Sequence, residues 1–310
     1  MLSRVAQRLY WLSRYLERAE DTARLINAYS HVFLDMPKGM NLDWQVLIDI
    51  FDLREKFHQR YVNANERNVT KFLLTNEKNS SSLTFSIAAA RENMRTTREV
   101  LPAQAWELMN ECYLFCNAKA DTTTAREARF AFTEEIIARN QQITGLFQGT
   151  LLRDHTDRFI RLGRLVERAD MTSRIVEVGA AAILEGKNQS TNEVPLLWFN
   201  LLTSLSAKSA YQRSVGPLLD ANSVVNFIFA NQLFPRSIAN CLIRIEEIIC
   251  EMKPPTAGLR ELRRMSRDFT NFDAEKISLA ELHQFVDEFQ VGLGRLNSTF
   301  ESHWFGSSGA

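Results

Sequence analysis

The chain has no excess of charge of either sign: 37 Lys and Arg stand against 37 Asp and Glu in 310 residues. A phosphate-backbone binder usually shows a basic excess or stripe, so nucleic acid is not an expected partner. Glycine and proline are scarce, at 12 and 7. No convincing run of alternating β-branched residues breaks the helical periodicity, which predicts an all-α protein. Four cysteines in a chain of this length do not make a disulfide framework. No window approaches the uninterrupted apolar length of a membrane span. The opening MLSRVAQRLYWLSR scatters charges where a secretory leader would be apolar. The expectation is a cytoplasmic protein with no membrane contact.

Helix punctuation is visible along the chain. Thr124 with Glu127, and Ser278 with Glu281, have the spacing of a capping box, which satisfies orphan amides in a first turn. Pro102 suits the start of AQAWELMNECYLF, and Pro254-Pro255 should stop SIANCLIRIEEIICEM. MPKGMN (36–41), LTNEKNSSS (74–82) and LEGKNQSTNEVP (184–195) look like connections, the last the best candidate for an exposed loop or hinge. None resembles a linker between independent domains, so 1–310 is read as a single domain.

What the chain has in abundance is itself, twice. LYWLSRYLERAEDTAR (9–24) returns 150 residues later as FIRLGRLVERADMTSR (159–174). Over 8–26, Arg8, Leu12, Arg14, Glu17, Arg18, Ala19, Thr22 and Arg24 are repeated as Arg158, Leu162, Arg164, Glu167, Arg168, Ala169, Thr172 and Arg174. Downstream, Trp44 pairs with Trp198, HQRYV (58–62) with YQRSV (211–215), and VTKFLLTN (69–76) with VVNFIFAN (224–231). The expectation is an internally duplicated helical bundle with pseudo-twofold symmetry, its halves about 1–150 and 151–310.

At about 100° per residue, Val5, Leu9, Leu12, Leu16, Ala19 and Ala23 form one broad apolar face, with Arg14, Glu17, Arg18 and Asp21 opposite. The charged side is not clean, because Tyr10, Trp11 and Leu25 share it. The second copy surrounds Arg164, Glu167 and Arg168 with Ile160, Met171 and Ile175. A helix apolar nearly all round is buried, and buried charges must be paired. Two arrangements satisfy this. Either Arg14 and Arg18 pair with Glu167 while Arg164 and Arg168 pair with Glu17, or the same groups line a cleft whose arginine forks hold a charged ligand.

Other candidates are weaker. Cys112 and Cys116, one helical turn apart, lack a matching zinc pair and read as core thiols. Glu55 and His58 have the spacing of a di-metal bundle ligand pair, but the repeat partner of His58 is Tyr211. GLGRLN (292–297) lies in a helical context and is no dinucleotide fingerprint; G-x-S-x-G, H-E-x-x-H and the P-loop are absent from the sequence. His31, His155, His283 and His303 stand alone. Neither a metal nor a cofactor is expected. RENMRTTRE (91–99) places Arg91, Arg95 and Arg98 on one helical side with Glu92 between them, either a solvated face or a ligand-facing one. LFPRS (233–237) puts Pro235 at a helix start with Arg236 just inside, a serviceable anion site.

Together MLSRVAQRLYWLSRYLERAEDTAR, LGRLVERADMTSR, ARENMRTTREVLPAQAWELMN and FPRS resemble the signatures of the bacterial alpha-E family, and the similarity runs essentially end to end. The resemblance implies an all-helical protein that accompanies, or is fused to, a circularly permuted ATP-grasp ligase, often beside a transglutaminase-like peptidase. It implies that the family's named glutamates match Glu17 and Glu167, with Ser13 and Gly163 as the small residues preceding each first arginine. The leading expectation is therefore a helical partner of an amide-bond ligase, supplying a docking surface or part of a charged pocket for an amino acid or peptide. The alternatives are an enzyme using Glu17 and Glu167 on a peptide-like substrate, with Arg14, Arg18, Arg164, Arg168, Arg91, Arg95 and Arg236 binding it, or a purely structural subunit. A dry, paired arginine–glutamate network favours a non-catalytic protein, and an open pocket with unpaired arginine forks favours the enzyme.

Overall fold

The long helices follow from the apolar stripes. Each buries a stripe wider than one neighbour can cover, so each needs several partners. A computed structural model of the chain describes residues 2–35, 43–184, 194–252 and 256–306. The described residues form helices and connections, with no strand among them. In chain order the helices are α1 (Ser3–Asp35), α2 (Gln45–Ile50), α3 (Arg54–His58), α4 (Glu66–Leu74), α5 (Leu83–Arg95), α6 (Ala103–Lys119) and α7 (Arg126–Thr150). They continue as α8 (His155–Leu184), α9 (Val194–Ser204), α10 (Lys208–Ser214), α11 (Ala221–Ala230), α12 (Ile238–Cys250), α13 (Thr256–Thr270) and α14 (Leu279–Phe300).

α1 and α8 pack against each other at the centre. α1 is flanked by α5 and α7, and α8 by α12 and α14. The short helices cross over: α2 packs on α8, and α9 on α1. Buried Trp44 and Trp198 stand at these crossovers. The two central helices meet closely because Ser13 and Gly163 face one another. A Cβ on Gly163 would collide with the Tyr10 carbonyl oxygen and the Ser13 hydroxyl.

The caps explain the boundaries. Asn65 and Asp220 accept from the backbone amides of Asn68 and Ser223, opening α4 and α11. Ser82 and Ser237 do the same for α5 and α12. α2 and α9 both end in a left-handed residue, Asp52 and Ser206, each at φ 53°. Each terminus closes with a six-to-one bond, Leu53 N–H to Ile48 O and Ala207 N–H to Leu202 O, the Schellman arrangement. The Ser278–Glu281 box forms as expected, and α6 begins directly after Pro102.

Two expected starts differ. α7 begins at Arg126 behind Ala125 with no side-chain cap, because Thr124 is taken up in a 3-10 turn over Ala120–Thr124. Pro235 and Arg236 precede α12 rather than opening it, since the Ser237 hydroxyl takes the cap. Cys112 and Cys116 are buried, and burial pushes each thiol up to about 12. The expected 74–82 connection joins α4 to α5. Residues 36–41, most of 184–195 and the Pro254-Pro255 stop lie outside the described residues. No described helix is long and apolar enough to cross a membrane.

Candidate functional site: the arginine–glutamate crossing of α1 and α8

The polar residues of the repeated helices face each other across the α1–α8 contact, inside the protein. Glu17 and Glu167 are 2% and 1% exposed, so each needs counter-charges aimed at both carboxylate oxygens. Glu167 obtains them from α1. Arg14 Nε donates to Oε2 at 2.6 Å, and Arg18 Nε donates to Oε1. The Arg14 guanidinium lies 4.7 Å from the Trp11 ring centroid and also donates to Asn297 Oδ1, which accepts from the Tyr10 hydroxyl as well. Trp11 and Tyr10 thus share the charged side of α1 because they orient its arginines.

Glu17 is held from the other side. Arg168 grips it with two bonds, Nε to Oε1 at 2.6 Å and Nη2 to Oε2 at 3.0 Å. Its second cation is Arg236, whose Nη1 lies 3.1 Å from Oε1. Arg236 also donates to Asp21 Oδ1 at 2.7 Å and to Glu20 Oε1 at 3.2 Å. Its backbone carbonyl accepts from the Thr172 hydroxyl, which ties the segment to α8. The expected anion-binding arginine is therefore an internal counter-ion.

Burial alone would raise both signature carboxyls, and the arginines outweigh it. Arg168 and Arg236 hold Glu17 down at about 2, and Arg14 and Arg18 hold Glu167 below the usual carboxylate range. Asp21 goes the other way, to about 7. Burial and the neighbouring Glu17 and Glu20 together exceed the pull of Arg236. One Asp21 oxygen, Oδ2, is buried without a hydrogen bond.

Arg164 departs from the expected pairing with Glu17. Its Nε is buried without a hydrogen-bond partner. Burial and the repulsion of Arg168 lower its pKa against the attraction of Glu17 and Glu20. It borders a cavity of about 20 Å³ shared with Glu17, Glu20 and Asp157. That is about one water's worth of space and far below a substrate's.

Arg91 and Arg95 are not part of this crossing. Arg91 donates to Asn110 and lies over Trp106 and Tyr113, while Arg95 pairs with exposed Glu92. Glu20 and Asn297 join the network without having been singled out. The Glu20–Asp170 match at the repeat offset, each holding its own arginine four residues on (Arg24 and Arg174), was a readable signal for the first. Nothing in the sequence marked the second. His58 bonds Gln45 and the Tyr61 carbonyl, and the described residues contain no group of metal-ligating side chains.

An all-helical domain built around two mutually clamped Glu–Arg pairs is the class of protein that this geometry defines. The chain belongs to the Alpha-E family, described as a predicted alpha-helical domain with a conserved ER motif, which it matches over residues 1–305. A stretch of 107 residues is 35% identical to a protein named ornithine aminotransferase from Staphylococcus carnosus (strain TM300), covering 33% of this chain and 24% of that one. The chain thus spans about a quarter of that relative. No solved structure matches the chain.

Proposed function

We propose that the chain is a non-catalytic helical partner of an ATP-grasp amide- or peptide-bond-forming ligase, acting in the cytoplasm and in company with a transglutaminase-like protein. In this reading the repeated signature is the clamp that holds two duplicated halves, 1–150 and 151–310, in one orientation about a pseudo-twofold axis. The observation that carries the non-catalytic part is the complete engagement of both signature glutamates. Each is buried and bonded through both oxygens to arginines of the opposite half. A general base needs a pKa near working pH, and Glu17 at about 2 lies far below it. The duplication is supported by the matched caps, the two left-handed helix ends and the reciprocal crossover of α2 and α9. The ligase partnership rests on the family resemblance.

The test is co-purification of the tagged chain from its native host, followed by amino-acid-dependent ATP hydrolysis by the recovered ligase with and without it. The chain alone is expected to show no turnover, and the ligase to be stimulated by adding it. Robust ATP turnover by the pure chain, lost on Glu17→Gln in a folded variant, would overturn the reading.

A further inference from the structure

RENMRTTRE was singled out for its arginines, and the crossing does not use them. They gather instead where α5 turns into α6. The Arg91 and Arg98 guanidinium carbons lie 5.1 and 5.0 Å from the centroid of one indole, Trp106. The two cations are therefore at most about 10 Å apart, close enough to repel in the ordinary salt range. Among the described residues, neither has a carboxylate within ion-pair distance. Arg91 bonds the neutral Asn110, and the nearby Glu92 is committed to Arg95. Arg98 is exposed, and its side chain makes no hydrogen bond among the described residues. Its guanidinium donors are free while Trp106 holds its plane in place.

Beside this pair runs a groove of about 550 Å³, within the size range of small-molecule sites. Met94, Leu101 and Trp106 give it an apolar floor, and Arg98 stands at its edge. Glu99 and Glu107 line the same groove without pairing with Arg98, and Arg95, which also lines it, is committed to Glu92. The pattern is a free guanidinium, an aromatic plane and separate carboxylates within one concavity. A phosphate dianion would satisfy Arg98 and be repelled by the two glutamates. A zwitterion with an apolar side chain satisfies all three features.

We propose that the α5–α6 groove binds a short peptide of two or three residues with free ends. Its terminal carboxylate sits on Arg98, an apolar side chain on Trp106, and its ammonium faces Glu99 and Glu107. The site lies apart from the α1–α8 crossing, and its occupancy is independent of any ligase partnership.

The experiment is calorimetric titration of the full chain, at low ionic strength, with Ala-Phe, Ala-Leu and Ala-Glu. At least one should bind with a Kd of about 1 mM or tighter. Amidating its carboxylate, or Arg98→Ala, should weaken binding about tenfold or more, the loss expected for one charge-assisted anchor. Arg98 is exposed, so the variant should keep the parental melting temperature; Trp106→Phe, which keeps a ring but a weaker cation–π face, should bind measurably more weakly. No binding by any of the three peptides at about 10 mM would overturn the proposal, as would binding indifferent to Arg98 or to the amide. Phenylalanine binding as tightly as Ala-Phe, or inorganic phosphate binding more tightly than the peptides with the same dependence on Arg98, would equally overturn it.

Discussion

Glu17 and Glu167 stand at matching places in the repeated signature, yet different segments hold them. Glu167 takes both of its arginines from one helix, α1. Glu17 takes one from α8 and imports the other, Arg236, from the connection before α12. The residue of the first half at the corresponding distance from its serine cap is Ser81, and the counterpart of Asp21 is Met171. Two charged residues that meet at 2.7 Å thus have two neutral counterparts. Around Glu167, Arg14 and Arg18 face Glu167 and Asp170. Around Glu17, Arg164, Arg168 and Arg236 face Glu17, Glu20 and Asp21. Glu20 and Asp170 each hold a further arginine of their own, Arg24 and Arg174, so the two sides gather their counter-charges by different routes. The buried glutamate stands at both places in the repeated motif, while the residues that supply its counter-charge differ.

The largest expected effect separates the two sides. Glu167→Gln strands Arg14 and Arg18 with only Asp170 nearby, and should cost about 3–5 kcal/mol. Glu17→Gln strands Arg168, which grips it with two bonds, but leaves Arg236 still bonded to Asp21 and Glu20. It should cost less, about 1–3 kcal/mol, within the ordinary single-mutant range. Urea denaturation at neutral pH reads both, and an equal or reversed order would break the comparison.

Next in size is the helix contact itself. Gly163→Ala drives a methyl group into the Tyr10 carbonyl and should cost about 1–3 kcal/mol by forcing the helices apart. Ser13→Ala, across the same contact, removes only a hydroxyl bonded to its own helix at the Tyr10 carbonyl, so about 1 kcal/mol or less is expected. Thermal melts of the pair distinguish a steric contact, where only the first hurts, from a general intolerance of change.

The acid cluster gives a smaller effect with a definite sign. Glu17 and Glu167 have depressed pKa values, so their contribution is present above the usual carboxylate range and fades as pH falls below it, for Glu17 from about 4.5 towards 2. Asp21 is raised to about 7, so the folded state binds its proton more tightly than the unfolded chain does. Its ionisation costs stability as pH rises from about 4 through 7. Asp21→Asn should therefore gain on the parent by about 1–3 kcal/mol between pH 5 and pH 8. A constant difference across that window would show that Asp21 ionises without penalty.

Much of this was legible from composition and periodicity. Few glycines and prolines and a 3.6-residue pattern suffice for an all-α chain, and Ser278 with Glu281 forms the box its spacing promised. The pairing of Glu17 with Arg168, and of Glu167 with Arg14 and Arg18, was one of two arrangements that arginines and glutamates set among apolar residues left open, the other being a ligand cleft. Local competition was not legible. Thr124 had the right spacing for a cap, but the preceding residues fold into a 3-10 turn that absorbs it. Pro235 looked like a first helical residue, but Ser237 offers a better acceptor two positions later. Nor could the sequence reveal that Asn297, 283 residues from Arg14, completes that arginine's hydrogen bonds. Such a partner is chosen by packing rather than by pattern.

The smallest expected effect tests whether position in the repeat or actual partnership decides an arginine's worth. Arg14 and Arg164 occupy the same place in the two copies, 150 residues apart. Arg14 bonds Glu167 and Asn297, and against burial the attraction of Glu167, Tyr10 and Asp170 together raises its pKa. Arg164 has lost its place at Glu17 to Arg236, and burial together with Arg168 lowers its pKa. Arg14→Met should leave Glu167 short of one of its two cations and cost several kcal/mol, about 3 or more. In Arg164→Met the methionine keeps most of the apolar stem and removes a desolvated cation whose Nε has no partner. It also removes a cation that helps hold Glu17 ionised, which offsets part of that gain. The net change should lie within about 0.5 kcal/mol of zero, the range of substitutions that break no specific contact. Denaturant midpoints for the two variants decide the matter. Equal losses would mean that Arg164 serves Glu17 as fully as Arg14 serves Glu167, and the asymmetry drawn between the two copies would fall.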